Sequence, residues 1–486
     1  MKYTFLLFSS LTFWLSSVVA QANLQADTMY IRCTQTLDFA AAQANRLIKS
    51  LPAGTKLPSC TNSNGDIVLV NASSWTSGFF PGELWYLSNY KTDAVMQADA
   101  KKYTQLLQAQ QFTTTTHDLG FMMYCSYGNG LRFANVAGYN EILIQSAKSL
   151  QTRFNSKVGC MRSWNSSSWT FPVIIDNMMN LELMFWATHV TGDSVYYKGA
   201  VSHALTTIKN HFRPDFSSFH LVDYNATTGE IIGKQTVQGY SNQSSWARGQ
   251  AWGLYGFTML YNETKMDVFL VQAKRIADYI LKNLPVDNVF YWDYNDPAIP
   301  NAPRDASSAA VTASALLELF RFTDEIAYQK AAEKIIWNLS TSKYMNGVNE
   351  NQNFLLKHST GNKPGNSQVD VPLIYADYYF VEALYRYVKL KKTASSVPEI
   401  NLPEESFQIY QNSVEQILTI QSATCFNKVQ LIDVAGKVLT SKSFSGNTSK
   451  ISIILENYNK GIYFIKVYFS NKSTGVKKFI YNKRQK

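Results

Sequence analysis

Apolar residues recur every three or four positions along much of the chain between residues 25 and 391, a spacing that places them on one face of an α-helix. Little of the strict alternation expected of a β-strand lies between these stretches. Amphipathic helices bury their apolar stripes against one another, and paired helices can close into a ring. The pattern therefore predicts an all-α domain, an (α/α)6 barrel of twelve helices. The predicted helices cover residues 25–50, 80–90, 93–110, 118–133, 137–153, 173–191, 193–212, 247–262, 264–284, 306–323, 324–342 and 370–391.

The hydrophobic pattern changes after residue 391. A segment rich in Lys, Ser and Thr is typical of a linker, and short alternating runs bounded by turn residues follow it. These runs predict a small C-terminal β-sandwich. Its expected strands cover residues 416–420, 428–434, 451–455, 461–469 and 476–481. The expected domains are a signal peptide at 1–20, the barrel at 21–392, a linker at 393–405 and the β-sandwich at 406–486.

The first twenty residues have the three parts of a secretory signal peptide. Lys2 supplies the positive start, residues 5–19 the apolar run, and small residues precede Gln21. No later segment is long and apolar enough to predict a membrane span. We therefore expect a secreted or cell-surface protein that is exported via the periplasm.

Charge and composition narrow the class of ligand. Residues 401–486 hold 12 Lys and Arg against 5 Asp and Glu, whereas residues 1–400 hold 33 against 30. The excess of basic residues thus lies mainly in the tail, and without a cluster interleaved with aromatic residues it does not predict nucleic-acid binding. Aromatic residues make up 14% of the chain, including 10 Trp and 29 Tyr. This content fits either a site that stacks sugar rings or a bulky helical core.

One carboxylate stands out within residues 171–190. Asp176 follows a Pro-Val-Ile-Ile run and precedes Asn-Met-Met, near the predicted start of a helix. Loss of hydration among such neighbours would raise its pKa and let it act as a general acid near neutrality. The alternative is an N-cap, in which the side chain accepts backbone hydrogen bonds and its pKa falls.

Other candidate residues lie in turns and long loops. Trp75 is presented by a glycine-bracketed turn, and Asp118 belongs to a His-Asp pair that opens a predicted helix. Arg248 lies between two tryptophans at the start of another helix, where a cation opposes the helix dipole. It should therefore have an anionic partner, either within the protein or on a substrate. The loops at 155–171, 214–246 and 285–305 are long enough to suggest function.

Six blocks of sequence resemble one family. They are WTSGFFPG, HDLGF, IIDNMMNLELMFWA, WARGQAWGLYGF, WDYNDPAIPNAPRDASSAA and DVPLIYADYYFVEAL, in this order across residues 75–387. Together they resemble the unsaturated glucuronyl hydrolases of glycoside hydrolase family 88, whose fold is an (α/α)6 barrel. By this resemblance, Asp176 corresponds to the general acid/base and Asp118 to a second essential carboxylate. Matching sugar-contacting or pocket-wall positions are Trp75, Trp164, His220, Gln238, Trp246, Arg248 and Trp252.

The resemblance also implies a reaction. Polysaccharide lyases leave a 4,5-unsaturated uronic acid at the non-reducing end of their oligosaccharide products. Protonation at C4 and addition of water at C5 would give a hemiketal that opens and releases the remaining sugar. This chemistry requires no metal or organic cofactor. The alternatives are the related unsaturated rhamnogalacturonyl hydrolases, a sugar epimerase, for which the expected paired histidines are lacking, and a non-catalytic surface glycan-binding protein.

The tail carries a separate resemblance. The runs YQNSVEQILTI, VQLIDVAGKVL, NKGIYFIKV and GVKKFIY within residues 406–483 are similar to the C-terminal sorting domain of type IX secretion cargo. The expected partners are therefore oligosaccharides with an unsaturated uronate and the type IX secretion machinery.

Overall fold

The computed structural model describes residues 5–395, 407–412, 416–433, 437–459, 461–470 and 474–481. The chain forms two compact units, Met1–Leu390 and Lys391–Lys486. Most of the predicted linker at 393–405 lies outside the described residues, as do residues 1–4 of the predicted signal peptide.

Two concentric sets of helices form the first unit. In the inner set, a π-helix runs directly into α4, and only Leu181 separates α6 from α7, so each pair acts as one inner helix. The inner set is α2 (Phe79–Lys91), the π-helix (Gly120–Gly128) with α4 (Asn129–Ala134), α6 (Asn177–Asn180) with α7 (Glu182–Thr191), α9 (Ala247–Thr264), α11 (Ala306–Thr323) and α13 (Ile374–Ser395). The outer set is α1 (Phe5–Ser50), α3 (Ala94–Gln105), α5 (Tyr139–Gln151), α8 (Ser194–Asn210), α10 (Asp267–Lys282) and α12 (Ile326–Leu339).

Burial distinguishes the two sets. Helix α9 is buried on every side from Ala247 to Leu260, as expected of an inner helix. Helix α10 buries only one stripe, at the spacing of three and four residues that the sequence pattern predicts. Outer and inner helices alternate along the chain. The first and last inner helices are joined by a 2.8 Å hydrogen bond from the Tyr86 hydroxyl to Glu382. The predicted twelve-helix (α/α)6 barrel is confirmed.

Short antiparallel strands occupy the connections of the barrel. They are β1 (Leu57–Thr61) with β2 (Ile67–Val70), β3 (Phe154–Asn155) with β4 (Cys160–Met161), β5 (Pro172–Ile174) with β6 (Leu221–Tyr224) and β7 (Ile231–Gln235), and β8 (Ser359–Asn362) with β9 (Ser367–Val371). The predicted helix at 173–191 is wrong at its start. Its first residues form β5, because Val173 and Ile174 are β-branched and pair with β6. The helix begins at Asn177.

The described residues of the second unit form five strands, β10 (Gln408–Asn412), β11 (Ile417–Asp433), β12 (Val438–Ile454), β13 (Gly461–Phe469) and β14 (Thr474–Tyr481). The pairing of β11 is irregular between Gln421 and Phe426. Before this point β11 pairs with β10, and after it with β13, while β12 runs along its other edge. Both halves contribute to one hydrophobic core, for example through Ile420 and Leu431. These strands form one antiparallel sheet with its own hydrophobic core, which is the C-terminal β-sheet region where the small β-sandwich is predicted.

None of the described helices is both long enough and apolar enough to cross a bilayer.

Candidate active site

The candidate residues gather at one end of the barrel. Consecutive inner helices are separated by one antiparallel outer helix, so their N-termini lie at the same end. Trp75 precedes α2, Asp118 precedes the π-helix, Asp176 precedes α6, and Trp252 lies in the first turns of α9. Phe121 connects this set, with its ring 5.6 Å from that of Trp75 and 5.2 Å from that of Trp252.

Strand β5 positions Asp176. Ile174 pairs with Leu221, and the Ile175 N–H donates to the His220 carbonyl at 3.0 Å. Asp176 is the next residue, and its Oδ2 lies 3.7 Å from His220 Nε2. Asp176 stands at the N-cap position of α6, but its side chain makes no capping hydrogen bond. The N-cap alternative is therefore wrong.

Burial raises the pKa of Asp176 to about 7 and is the largest influence on this group. The positive charge of Arg248 acts in the opposite direction, and the carboxylate of Asp118 raises the pKa further. Of the two alternatives that the sequence left open, the raised pKa agrees with the general acid and not with the N-cap. A carboxyl group with this pKa can hold a proton near neutrality and release it to a reacting group.

His220 presents a neutral N–H to Asp176. Its Nδ1 accepts hydrogen bonds from the backbone N–H groups of Val237 and Gln238, at 3.0 and 3.3 Å. Burial, and after it the positive charge of Arg248, lowers the pKa of His220 to about 3. Because Nδ1 is the acceptor, the single proton of the neutral ring belongs on Nε2, which faces Asp176.

Asp118 is held as a hydrogen-bond acceptor beside this pair. The Thr116 hydroxyl donates to Asp118 Oδ2 at 2.5 Å, and His117 Nε2 lies 3.3 Å from Oδ1. Burial lowers the pKa of His117, so its ring stays neutral. The side chain of Asp118 is 18% exposed and that of Asp176 is 11% exposed, so both carboxyl groups are largely shielded from solvent.

Asn180 braces the helices that carry the two carboxylates. Its Oδ1 accepts the Phe121 N–H at 2.8 Å, and its Nδ2 lies 3.4 Å from the Asp176 carbonyl. A Cβ atom on Gly120 would come within 2.4 Å of the Asn180 Cα, so only glycine permits this approach. Sequence reasoning missed Asn180, although its position four residues after Asp176 places it on the same helical face.

Arg248 has its anionic partner inside the protein. Its Nη1 lies 3.0 Å from Asp305 Oδ2, and both side chains are almost fully buried. The guanidinium also donates to the carbonyls of Thr360 and Gly361, each at 2.6 Å. It lies 4.5 Å from the centre of the Trp246 ring. The structure thus gives Arg248 a structural ion pair, with which it fixes the hairpin of β8 and β9 to the N-terminus of α9. Contact of Arg248 with a substrate remains a prediction.

The remaining predicted residues surround this centre. Gln238 also binds the hairpin, through a 3.1 Å hydrogen bond from Nε2 to the Gly361 carbonyl. Trp246 packs against His220 with 4.8 Å between ring centres. Trp75 and Trp164 are half-buried, and Trp164 pairs through its backbone with Thr116, next to Asp118. Their role as pocket walls stays a prediction.

Several buried polar atoms at this end of the barrel lack a hydrogen-bond partner within the part of the chain that is described. They are Asp176 Oδ2, His220 Nε2, Arg248 Nε, Trp252 Nε1 and the Tyr375 hydroxyl. Buried polar groups are nearly always paired in native proteins, so a cluster of unpaired ones indicates a site that binds a polar ligand. Sequence reasoning missed Tyr375, which packs 4.9 Å from Trp75. Among the described residues, no group of three His, Cys, Asp or Glu side chains is placed to hold a metal ion.

A protein of Formosa agariphila named unsaturated glucuronyl hydrolase is 46% identical over 322 residues, covering 65% of this chain and 80% of the relative. The chain belongs to the unsaturated glucuronyl hydrolase family. A crystal structure of an unsaturated glucuronyl hydrolase specific for heparin matches with a TM-score of 0.73 and 44% identity, over 74% of this chain and 98% of that one. The family enzyme of Bacillus sp. GL1 matches with a TM-score of 0.68 and 28% identity, over 73% of this chain and 96% of that one.

The tail matches a different family model. Residues 408–482 match the secretion system C-terminal sorting domain. The chain is therefore a glycoside hydrolase of the unsaturated glucuronyl hydrolase family that carries a sorting domain for secretion.

The raised pKa of Asp176 predicts a pH-dependent effect of Asp176→Asn on stability. The folded protein keeps the proton up to about pH 7, whereas the unfolded chain releases it near 3.8. Wild-type stability should therefore fall as pH rises through this window, and the variant, which has no group to titrate, should escape the loss. We expect the variant to exceed wild type in free energy of unfolding by up to roughly 4 kcal/mol above pH 7. Urea unfolding from pH 4 to 8 measures this difference, and a difference that does not change with pH would contradict it.

Proposed function

We propose that the protein removes the 4,5-unsaturated uronic acid from the non-reducing end of oligosaccharides released by polysaccharide lyases, through hydration of the C4=C5 bond. The observation that carries this proposal is the buried Asp176 with a pKa of about 7, beside Asp118 and His220, in a chain of this family. A saturated glycoside has no such double bond to accept a proton. The proposed reaction therefore differs from ordinary glycoside hydrolysis at its first step.

Asp176 serves as both acid and base in this proposal. Its carboxyl group gives a proton to C4, and the positive charge that develops at C5 is shared with the ring oxygen. Water adds at C5 and loses a proton to the Asp176 carboxylate, which restores the acid. The hemiketal then opens by cleavage of the bond between C5 and the ring oxygen, and the hemiacetal left at C1 releases the remaining sugar. One water molecule is consumed in total.

Asp118 is suited to stabilise the charge that develops on the sugar. Thr116 fixes its carboxylate, and Asn180 joins its helix to that of Asp176. A negative charge close to an oxocarbenium-like transition state lowers the barrier most when it does not need to reorganise. The same charge raises the pKa of Asp176, which favours the protonated form needed for the first step.

Substrate binding falls to the unpaired buried donors and the aromatic rings. The Tyr375 hydroxyl has no hydrogen-bond partner among the described residues and can donate to the uronate carboxylate or hydroxyls. The N–H groups of His220 and Trp252 lie beside Asp176 and can donate to the part of the sugar that meets this carboxyl group. Trp75 and Trp164 offer half-buried ring faces. We assign Arg248 and Gln238 the further role of fixing the β8–β9 hairpin that closes the site.

The sorting domain directs the enzyme to secretion, which fits a substrate made outside the cell. We propose that the chain crosses the periplasm after removal of residues 1–20 and is then exported by the type IX machinery to the surface or medium. The domains are proposed as the barrel at 21–392, a linker at 393–405 and the sorting domain at 406–486.

Asp176→Asn should reduce kcat by at least ~10²-fold, because the amide keeps the volume but cannot give up a proton. Glu182→Gln is a matched control: burial raises the pKa of Glu182 to about 7 as well, but this residue pairs with Arg132. The control should keep its activity. In the wild type, kcat/KM should fall above about pH 7, where Asp176 loses its proton. Loss of the absorbance of the conjugated double bond gives the rates. An active Asp176→Asn variant would exclude this residue as the acid.

Isotope labelling tests the site of water addition. In deuterium oxide, deuterium should appear on C4 of the released uronate, and in oxygen-18 water the label should enter at C5. A conventional retaining or inverting hydrolase would place the oxygen at C1 and would also cleave a saturated glucuronide. Mass spectrometry and NMR of the first product distinguish these outcomes. Label at C1, or cleavage of the saturated analogue, would refute hydration.

Deletion of residues 396–486 should leave kcat/KM unchanged and abolish delivery to the surface in the native host. The catalytic residues all belong to the unit Met1–Leu390, which has its own hydrophobic core. Activity of the purified barrel and cell fractionation of the tail-deleted strain measure the two effects. An inactive, folded barrel would show that the tail contributes to catalysis.

A further inference from the structure

A second cavity lies outside the candidate active site. It has a volume of about 470 Å³ and is formed by the connection between α10 and α11. We call it the Tyr291 pocket. Its lining residues are Asn283, Pro285, Val286, Asp287, Phe290, Tyr291, Tyr294, Ile299 and Arg304. A largely apolar concave surface with a few convergent polar groups is the usual form of a ligand site.

The pocket is separated from the catalytic residues by one strand-like segment. Asp305, which follows Arg304 directly, points to Arg248 in the active site. The backbone at Asp305 is extended, so neighbouring side chains point to opposite sides, and Arg304 lies instead in the Tyr291 pocket. The pocket is therefore a neighbour of the active site at the same end of the barrel, not a part of it.

The charged residues that line the pocket are Asp287 and Arg304, and Lys343 lies just outside the lining. Asp287 pairs with both Arg304, at 3.2 Å, and Lys343, at 2.7 Å. Burial favours the neutral form of Asp287, but hydrogen bonds from Lys343 and Tyr344 and the charges of Arg304 and Lys343 outweigh it and lower the pKa. The single carboxylate of the pocket is therefore paired with two cations, of which Arg304 belongs to the lining. Arg304 uses only Nη1 for its contacts with Asp287 and the Val289 carbonyl. Its Nε and Nη2 have no partner in the described part of the chain and can bind an anion in bidentate fashion.

The aromatic side chains supply the complementary surface. Tyr291 and Tyr294 are half-buried, and their hydroxyls make no hydrogen bond to any described residue. A half-exposed tyrosine offers a flat apolar face and a polar tip, the combination that a sugar ring with its hydroxyls requires. The Arg304 guanidinium stacks over one face of the Tyr291 ring, 3.7 Å from its centre, which fixes its position in the pocket.

We propose that the Tyr291 pocket is an accessory binding site for an acidic saccharide, with Arg304 on a carboxylate or sulfate group and the tyrosines on the sugar rings. The choice of ligand class rests on the proposed function, because oligosaccharides that carry uronates are the substrates assigned above. Such a site would hold a second segment of an acidic glycan near the active site.

Val286 provides the test, because it lines the pocket and its side chain is fully exposed. Val286→Asp should weaken binding of a saturated chondroitin 6-sulfate hexasaccharide at least tenfold, and Val286→Lys should strengthen it. Val95, an exposed valine on α3, gives the matched controls Val95→Asp and Val95→Lys, which should bind as wild type does. Isothermal titration calorimetry measures the affinities, with neutral cellohexaose as a ligand that should bind far more weakly.

The same variants are assayed for turnover of an unsaturated disaccharide, which should be equal in all of them. If the Val286 and Val95 variants bind the hexasaccharide equally well, the accessory site is overturned. If the disaccharide is still turned over in that case, the proposed function stays intact. Charge-dependent binding at Val286 without turnover by the wild type would refute the proposed function and support the pocket. Equal affinity for cellohexaose and the sulfated hexasaccharide would overturn the assignment to acidic saccharides.

Discussion

The burial of a single carboxyl group, that of Asp176, is the constraint around which the active end of the barrel is arranged. An isolated carboxylate is costly to bury, so a protein that encloses one must either pair it or let it keep a proton. Here Arg248 is close enough to lower the pKa of Asp176, but its guanidinium donates its hydrogen bonds to Asp305 and the hairpin. The balance leaves an acid that titrates near neutrality. The site thus gives up stability for reactivity at one position.

The buried pair of Arg248 and Asp305 resolves a second conflict. A hairpin whose carbonyls face the interior would leave acceptors without donors, and a guanidinium at a helix start opposes the dipole of that helix. Placing the two together satisfies the carbonyls of Thr360 and Gly361 and gives the cation a carboxylate partner. The pair joins α9, α11 and the β8–β9 hairpin. Removing one partner of such a pair typically costs about 3–5 kcal/mol, so this contact belongs to the framework of the site.

Helical periodicity was sufficient to predict the barrel, because each outer helix such as α10 buries one clear stripe. It failed at residues 173 and 174, where an apolar run fits a buried strand as well as a helix and pairing with β6 decides. The positions of Asp118 and Asp176 followed from the family blocks. Their supports did not: Thr116 and Asn180 are common polar residues whose roles depend on contacts across helices. The contact of Arg248 with the β8–β9 hairpin could not be predicted from the sequence either. Arg248 binds backbone carbonyl groups there, and every residue has one.

The hydrogen bond between Tyr86 and Glu382 spans 296 residues and closes the ring between its first and last inner helices. The ring is therefore incomplete until α13 has been synthesised, and α13 also follows every other candidate site residue in the chain. The sorting domain comes after α13. If translation stops early, the fragment lacks the sorting domain. Any chain that has the sorting domain also has the complete barrel. Because the sorting domain follows the barrel along the polypeptide, only a chain with a complete catalytic unit carries the export signal.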